Sequence, residues 1–251
     1  MTNAASPVVL ITGASRGIGA ATARLAAEHG YAVGVNYRSD RDAAERVVAD
    51  IETGGGRALA IAADVTSEAD VIRLFEAVDS LGPLGALVNN AGILEQQMRV
   101  DQMSSGRLGR ILTTNVVGSF LCAREAIRRM STRHGGAGGA IVNVSSAAAR
   151  LGSPGEYVDY AASKGAIDTM TIGLAKEVAA EGIRVNAVRP GFIYTDIHAS
   201  GGEPDRVERV KHFVPLRRGG QAEEVAEAIL WLLSDRASYT TGAFLDVAGG
   251  N

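Results

Sequence analysis

Short apolar runs rich in Val, Ile and Ala alternate along the chain with longer stretches where apolar residues recur every three or four positions. The short runs predict strands over 8–12, 31–37, 57–62, 86–89, 140–144, 184–188 and 243–247. The longer stretches predict helices over 18–29, 41–53, 68–80, 107–133, 157–181 and 222–233. Strands separated by helices of this length form βαβ units, hence a parallel sheet covered on both faces. Val8-Val9-Leu10-Ile11 is apolar throughout, as a strand buried on both sides requires. The glycine-rich segment 134–139 is too short for a linker between domains. It reads as a helix-to-strand loop, with Gly135 and Gly136 as the stop. No repeat or boundary interrupts the pattern, so residues 1–251 are expected to form a single α/β domain.

Composition narrows the classes. With 251 residues, 46% of them hydrophobic, the chain is long enough for one substantial core. A net charge of −3 without clustered Lys/Arg argues against a nucleic-acid partner. The single cysteine, Cys122, lies in an apolar run and is expected to be a buried core thiol. No apolar stretch approaches the ~20 residues that span a bilayer, so no membrane partner is expected. Residues 1–7 carry no basic segment of the kind that opens a secretory leader, which makes a cytoplasmic protein the expectation. His29, His134, His198 and His212 are scattered without ligand spacing, so no metal site is expected.

The first strand runs into Thr12-Gly13-Ala14-Ser15-Arg16-Gly17-Ile18-Gly19, where a helix begins. Strand, glycine turn and helix N-terminus together make a pyrophosphate site, because free N–H groups and the helix dipole point at the anion. The second strand ends at Asn36-Tyr37-Arg38-Ser39, with no acidic residue before Asp40 to take a ribose hydroxyl. Arg38 and Arg16 suit a 2′-phosphate instead, which favours NADP over NAD as cofactor, with NAD possible. Without a ligand, Arg38 reads as an ordinary solvated turn charge. Asp64, followed by Val65, ends the third strand, where a carboxylate faces the ligand crevice and can accept from an adenine amino group.

Tyr160-Ala-Ala-Ser-Lys164 opens a predicted helix, and the i, i+4 spacing puts phenol and ammonium on one face. A nearby ammonium favours the phenolate, so Tyr160 is the candidate to give or take a proton at a substrate oxygen. Tyr157 has Ala161 four positions on and lacks such a partner. Ser145 and Ser146 end the strand over 140–144, where either hydroxyl can reach the crevice.

Thr12–Gly19, Asp64, Asn89-Asn90-Ala91-Gly92, Asn115, Ser146, Tyr160-x-x-x-Lys164 and Arg189-Pro190-Gly191 occur together and in order. This set resembles the short-chain dehydrogenase/reductase family across essentially the whole chain. The resemblance implies a Rossmann-like, doubly wound domain with a seven-stranded parallel sheet, and reversible hydride transfer between nicotinamide C4 and a carbonyl or secondary alcohol. It implies a catalytic tetrad: Tyr160 as acid/base, Lys164 lowering its pKa, Ser146 positioning the substrate oxygen, and Asn115 supporting a proton relay. Asn90, Ala91 and Gly92 would line the cofactor cleft, and Pro190, Gly191 and Ile193 would meet its nicotinamide end. Two departures stand out. Ser146 lies 14 residues before Tyr160, one more than in many members, so Ser145 is a rival alignment. Gly85-Ala86 stands where many members carry an Asp.

The chain is similar to 3-oxoacyl thioester reductases and to sugar dehydrogenases, and the substrate is left open between thioester, sugar and small ketone. Segments 93–97, 147–157 and 192–213 are the candidate substrate loops, with Glu95, Gln96, Tyr194 and His198 as polar contacts. The resemblance also implies a homotetramer built on the helices carrying Asn115 and Tyr160, where Gly165, Ala166, Gly173 and Ala175 leave a small-residue surface. A non-catalytic dinucleotide sensor on the same fold is the alternative reading.

Overall fold

The computed structural model describes residues 6–251, so the leader reading over 1–7 falls largely outside it. Seven parallel strands form one sheet in the order β3-β2-β1-β4-β5-β6-β7. They are β1 (Val8–Ile11), β2 (Ala32–Tyr37), β3 (Arg57–Ala62), β4 (Leu84–Asn89), β5 (Gly139–Val144), β6 (Ile183–Pro190) and β7 (Phe244–Val247). Ten α-helices accompany them among the described residues. These are α1 (Gly17–Glu28), α2 (Arg41–Thr53), α3 (Glu68–Asp79), α4 (Ser105–Leu112), α5 (Gly118–Met130), α6 (Ala148–Leu151), α7 (Val158–Val178), α8 (Ile197–Ser200), α9 (Arg206–Val210) and α10 (Ala222–Leu233).

The period of two along β1 divides the core. Val8 and Leu10 point to one face and pack with Val71 and Leu74 of α3, Cys122 of α5 and Ile167 of α7. Val9 and Ile11 point to the other, against Ala23 of α1, Val47 of α2 and Ile229 of α10. All four are fully buried. Leu10→Ala would cost about 2–5 kcal/mol, the range for a large aliphatic side chain removed from a packed core. Cys122 is fully buried, and burial pushes its thiol up to about 12.

The strand order reverses between β1 and β4, which opens a crevice beyond the carboxyl ends of the strands. Three of the helices are capped by a single side chain: Asp40 accepts from Ala43 N–H, Ser67 from Asp70 N–H and Ser104 from Arg107 N–H. Gln221 and Glu224 form a reciprocal capping box on α10. At α1 the cap residue is Arg16, and its side chain makes no capping bond.

The single helix expected over 107–133 is instead three pieces. Between α4 and α5, Thr113–Val117 forms a π turn, and the run ends in a short 3-10 turn, Thr132–His134, stopped by Gly135 at φ 85°. Apolar periodicity continues through a π turn, so the sequence pattern does not reveal it. Its cause is local: Asn115 bonds sideways to the chain at Ile93 and to Ser163.

Candidate active site

One cavity of about 380 Å³ lies at the carboxyl end of the sheet. Gly13, Arg16, Gly17, Ile18 and Arg38 line one end, and Ser146, Tyr160, Lys164, Pro190, Gly191 and Ile193 the middle, with Asn90, Ala91 and Gly92 between them. Gly13 and Gly17 sit at φ 61° and 55°, and a Cβ on Gly13 would lie 3.0 Å from Ala91 Cα. The turn is therefore open only to glycine, and it leads into the uncapped N-terminus of α1. A helix end without a side-chain cap, flanked by two arginines, suits a phosphate-bearing ligand.

Several predicted cofactor residues lie off this wall. Ser15 lines a separate shallow depression with Arg24 and Arg46. Gly19 is a packing residue, since a Cβ there would meet Asn90 Nδ2 at 2.5 Å and Gly13 O at 2.6 Å. Asn36 is buried: it accepts from Gly13 N–H at 3.1 Å and donates to Ile61 and Ala63 carbonyls, bracing the turn from behind. Tyr37 does not line the cavity; it is partly buried and packs against the core on the α1 side. Asp64 accepts from both Thr66 N–H at 2.9 Å and Thr66 Oγ1 at 2.8 Å, so its carboxylate is held in its own turn. Val65 packs against Gly118, whose Cβ would come within 2.8 Å of it.

The catalytic candidates converge. Tyr160 is half-buried, and desolvation pushes its phenol up to about 12, while the Ser146 hydroxyl beside it pulls the value down. Ser146 lines the cavity and its Oγ accepts from Ala148 N–H. Ser145 also borders the cavity, but it is only 2% exposed and its hydroxyl is committed to Asp168 at 2.6 Å. Lys164 is buried to 4% exposure, and its Nζ donates to Val144 O at 2.8 Å. Burial brings its pKa down to about 8. Its ammonium stands 5.6 Å from the centre of the Tyr160 ring.

Asn115 is 1% exposed and does not line the cavity; it lies beside Gly92, whose Cβ would be 3.5 Å from both Asn115 Oδ1 and Lys164 Nζ. Its amide accepts from Ile93 N–H at 2.8 Å and donates to Ile93 O at 3.1 Å and to Ser163 Oγ at 3.0 Å. Ser163 in turn donates to Tyr160 O at 2.7 Å. Asn115 thus fixes both the loop entering at Ile93 and the helix turn carrying Tyr160.

Among the expected polar contacts, only His198 lines the cavity. Glu95 pairs with Arg110, Gln96 offers its carbonyl to Arg107, and the Tyr194 hydroxyl donates to Glu208. Ser153, Thr195 and Arg206, which fall within the expected substrate loops 147–157 and 192–213 without being singled out there, also line the cavity, as does Tyr157, which lacked a lysine partner. Tyr157 is 3% exposed and donates to Gly201 O, holding the loop around α8 against α7. Arg206 stacks its guanidinium 5.0 Å from the Tyr157 ring and pairs with Glu156 and Glu203. Nothing in periodicity marks these residues, because they are brought together by loops. Among the described residues no cluster of His, Cys, Asp or Glu could hold a metal, and no helix is long and apolar enough to cross a membrane.

Residues 13–251 match a family described as enoyl-(acyl carrier protein) reductase. The chain is 62% identical over 244 residues to an uncharacterized oxidoreductase, YgfF, of Escherichia coli, covering 97% of this chain and 99% of that protein. It is 39% identical to a 3-oxoacyl-[acyl-carrier-protein] reductase of Synechocystis over 100% of this chain and 98% of the relative. Among solved structures, a dehydrogenase/reductase from Sinorhizobium meliloti superposes with TM-score 0.90 at 32% identity, covering 98% of this chain and 95% of that one. A short-chain dehydrogenase/reductase variant from Serratia marcescens follows at TM-score 0.89 and 34% identity, with 97% of each chain covered. The ordered motifs, the sheet they sit on and these relatives agree: the chain is an oxidoreductase of the short-chain dehydrogenase/reductase family.

Proposed function

We propose that this chain exchanges a hydride between NADP and a carbonyl/alcohol pair, with Tyr160 as the proton carrier. The observation that carries the reading is the convergence of Ser146, Tyr160 and Lys164 on one cavity whose other end is a glycine turn at an uncapped helix. Bound there, a nicotinamide dinucleotide supplies or accepts the hydride. Gly13, Gly17 and Ile18 would hold its phosphates, Arg38 and Arg16 a 2′-phosphate, and Lys164 its ribose. NAD binding is the weaker alternative, because β2 ends without an acidic residue.

The protein's own groups then do the proton chemistry. Ser146 donates to the substrate oxygen and fixes it beside Tyr160. A phenol pushed up to about 12 is protonated at neutral pH, so Tyr160 stands ready as the acid that completes carbonyl reduction. Lys164, brought down to about 8, retains its proton at pH 7 and favours the phenolate left behind. The substrate class stays open between 3-oxoacyl thioesters, sugars and small ketones. The names of relatives lean toward the first.

The deciding experiment is a panel of ethyl acetoacetate, an acetoacetyl thioester, cyclohexanone and aldoses with NADPH and NADH, repeated with Tyr160→Phe. Turnover should fall at least a hundredfold while dinucleotide binding by fluorescence persists. Turnover unchanged in the variant would refute the assignment, and loss of dinucleotide binding in the wild type would refute the cofactor.

The same reading extends to assembly as a homotetramer in the cytoplasm. Leu108, Leu112, Val117 and Phe120 along α4 and α5, and Ile172 on α7, are exposed apolar side chains. Gly165 and Gly173 leave open space on α7. An apolar, small-residue face of this kind suits close helix packing between copies.

A further inference from the structure

We propose that the buried ion pair between Arg107 and Asp159 is a positioning device for Tyr160 and for the loop facing it; this rests on the reading of Tyr160 as proton carrier. Neither residue touches the cavity. Their side chains are 5% and 1% exposed. Arg107 Nε donates to Asp159 Oδ2 at 2.7 Å, and Nη2 to Oδ1 at 3.3 Å. Two further bonds leave the pair. Arg107 Nη1 donates to Gln96 O at 2.5 Å, and Asp159 Oδ1 accepts from Tyr160 N–H at 2.9 Å.

A buried ion pair is a poor way to join two helices. Desolvating both charges offsets much of their attraction, and apolar residues of similar volume hold helices equally well. What the pair offers is direction. The planar guanidinium fixes its partners in one plane, and its five donors reach more than one segment. Here one guanidinium joins three segments: α4, the first turn of α7, and the loop at Gln96. The first turn of α7 needs such a hold, because its cap, Tyr157, makes no side-chain capping bond.

The consequence for Tyr160 is that both of its backbone groups are fixed. Asp159 takes its N–H, and Ser163, itself held by Asn115, donates to its carbonyl. The facing loop is fixed at both ends too, by Asn115 at Ile93 and by Arg107 at Gln96. Ile93 and Leu94 line the same cavity as Tyr160. The distance from the phenol to a substrate lying against that loop therefore depends on Arg107. A misplacement of about 1 Å in such a distance can lower turnover on the order of a hundredfold.

The test uses the full chain with ethyl acetoacetate and NADPH. Arg107→Met alone strands a buried carboxylate and is expected to unfold readily. Arg107→Met with Asp159→Met removes both charges and should restore the thermal midpoint to near wild type. In that folded double variant kcat is expected to fall at least tenfold, with NADPH affinity by fluorescence within threefold of wild type. A purely structural pair would return kcat together with the fold, so a folded double variant with wild-type kcat overturns the proposal.

Asp159→Asn, which keeps the shape and the acceptor for Tyr160 N–H, gives a second reading that needs no repacking. It leaves the Arg107 charge without its counterion beside Tyr160, so the pH limb of kcat belonging to the tyrosine should move to lower pH. Unchanged kcat and an unmoved limb in this variant would also overturn the proposal. Tyr160→Phe, run alongside, separates the two claims. If it retains turnover, the proton-carrier reading falls and this inference with it. If it is inactive while the double variant is fully active, only the positioning role falls.

Discussion

Replacing Gly19 by alanine tests whether the third glycine of the turn acts through packing. The added Cβ would lie 2.5 Å from Asn90 Nδ2, 2.6 Å from Gly13 O and 2.9 Å from Ala14 Cα. Two of these three neighbours are backbone, and the Asn90 amide is already held by Thr12 O at 2.8 Å and Gly13 O at 2.9 Å. Reaching an ordinary contact of about 3.5 Å requires the start of α1 to retreat by roughly 0.9 Å from the turn. Overpacking of this kind costs about 1–3 kcal/mol, and the helix preference of alanine returns about 1 kcal/mol. A net loss of up to about 2 kcal/mol lowers the melting midpoint by up to roughly 8 °C in a chain of this size. Dinucleotide affinity should fall about tenfold, because the free N–H groups of α1 move away from the phosphates. Thermal denaturation and fluorescence titration with NADPH measure the two effects. Gly109→Ala is the control, since its Cβ would meet nothing within 4 Å. It should hold or raise the midpoint. A Gly19→Ala protein with unchanged midpoint and unchanged affinity would refute the reasoning.

Three further outcomes are expected. Lys164→Met should stabilise the fold while removing activity. The folded-state pKa of Lys164 is about 8 against an ordinary 10.5, so burial penalises the charged form by about 3 kcal/mol. The penalty is complete below pH 8 and disappears as pH rises toward 10.5. The gain, reduced to about 1–2 kcal/mol by the orphaned Val144 carbonyl, should therefore be seen by denaturant titration at pH 7 and vanish near pH 10. Arg38→Asp should lower the NADPH-to-NADH ratio of kcat/KM at least tenfold, and an unaltered ratio would exclude Arg38 from the 2′-phosphate. Phe120→Asp on the exposed face of α5 should yield smaller particles by light scattering, and an undisturbed mass would remove that face from the assembly.

What the sequence made legible follows from periodicity and from order. The doubly buried strands read directly, because Val8 to Ile11 have no polar face to disguise them. The helix expected over 222–233 matches α10 at both ends, and the structure adds the Gln221–Glu224 capping box at its start. The catalytic candidates were legible because Tyr160 and Lys164 lie one helical turn apart. The longer reach of side chains was not legible. Asn36 and Asp64 occupy strand ends where a ligand contact is expected, yet the backbone beside each contains donors that a short polar side chain satisfies first. Arg107 and Asp159 are 52 residues apart, and in sequence each reads as an ordinary surface charge.

The π turn between α4 and α5 sets the rotational phase of everything after it. A turn with one residue more than the α-helix sets the following helix back by about 100°. With it, Arg107 and Ile111 of α4 and Ala123, Ala126 and Met130 of α5 are all buried. Winding 113–117 as regular α-helix with every residue kept would give one longer, more regular helix. That helix would rotate the core stripe of α5 by about 100° about its axis and draw Ala123 and Met130 out of the core. The irregular turn is thus a phase correction, and here a locally better helix makes a worse protein.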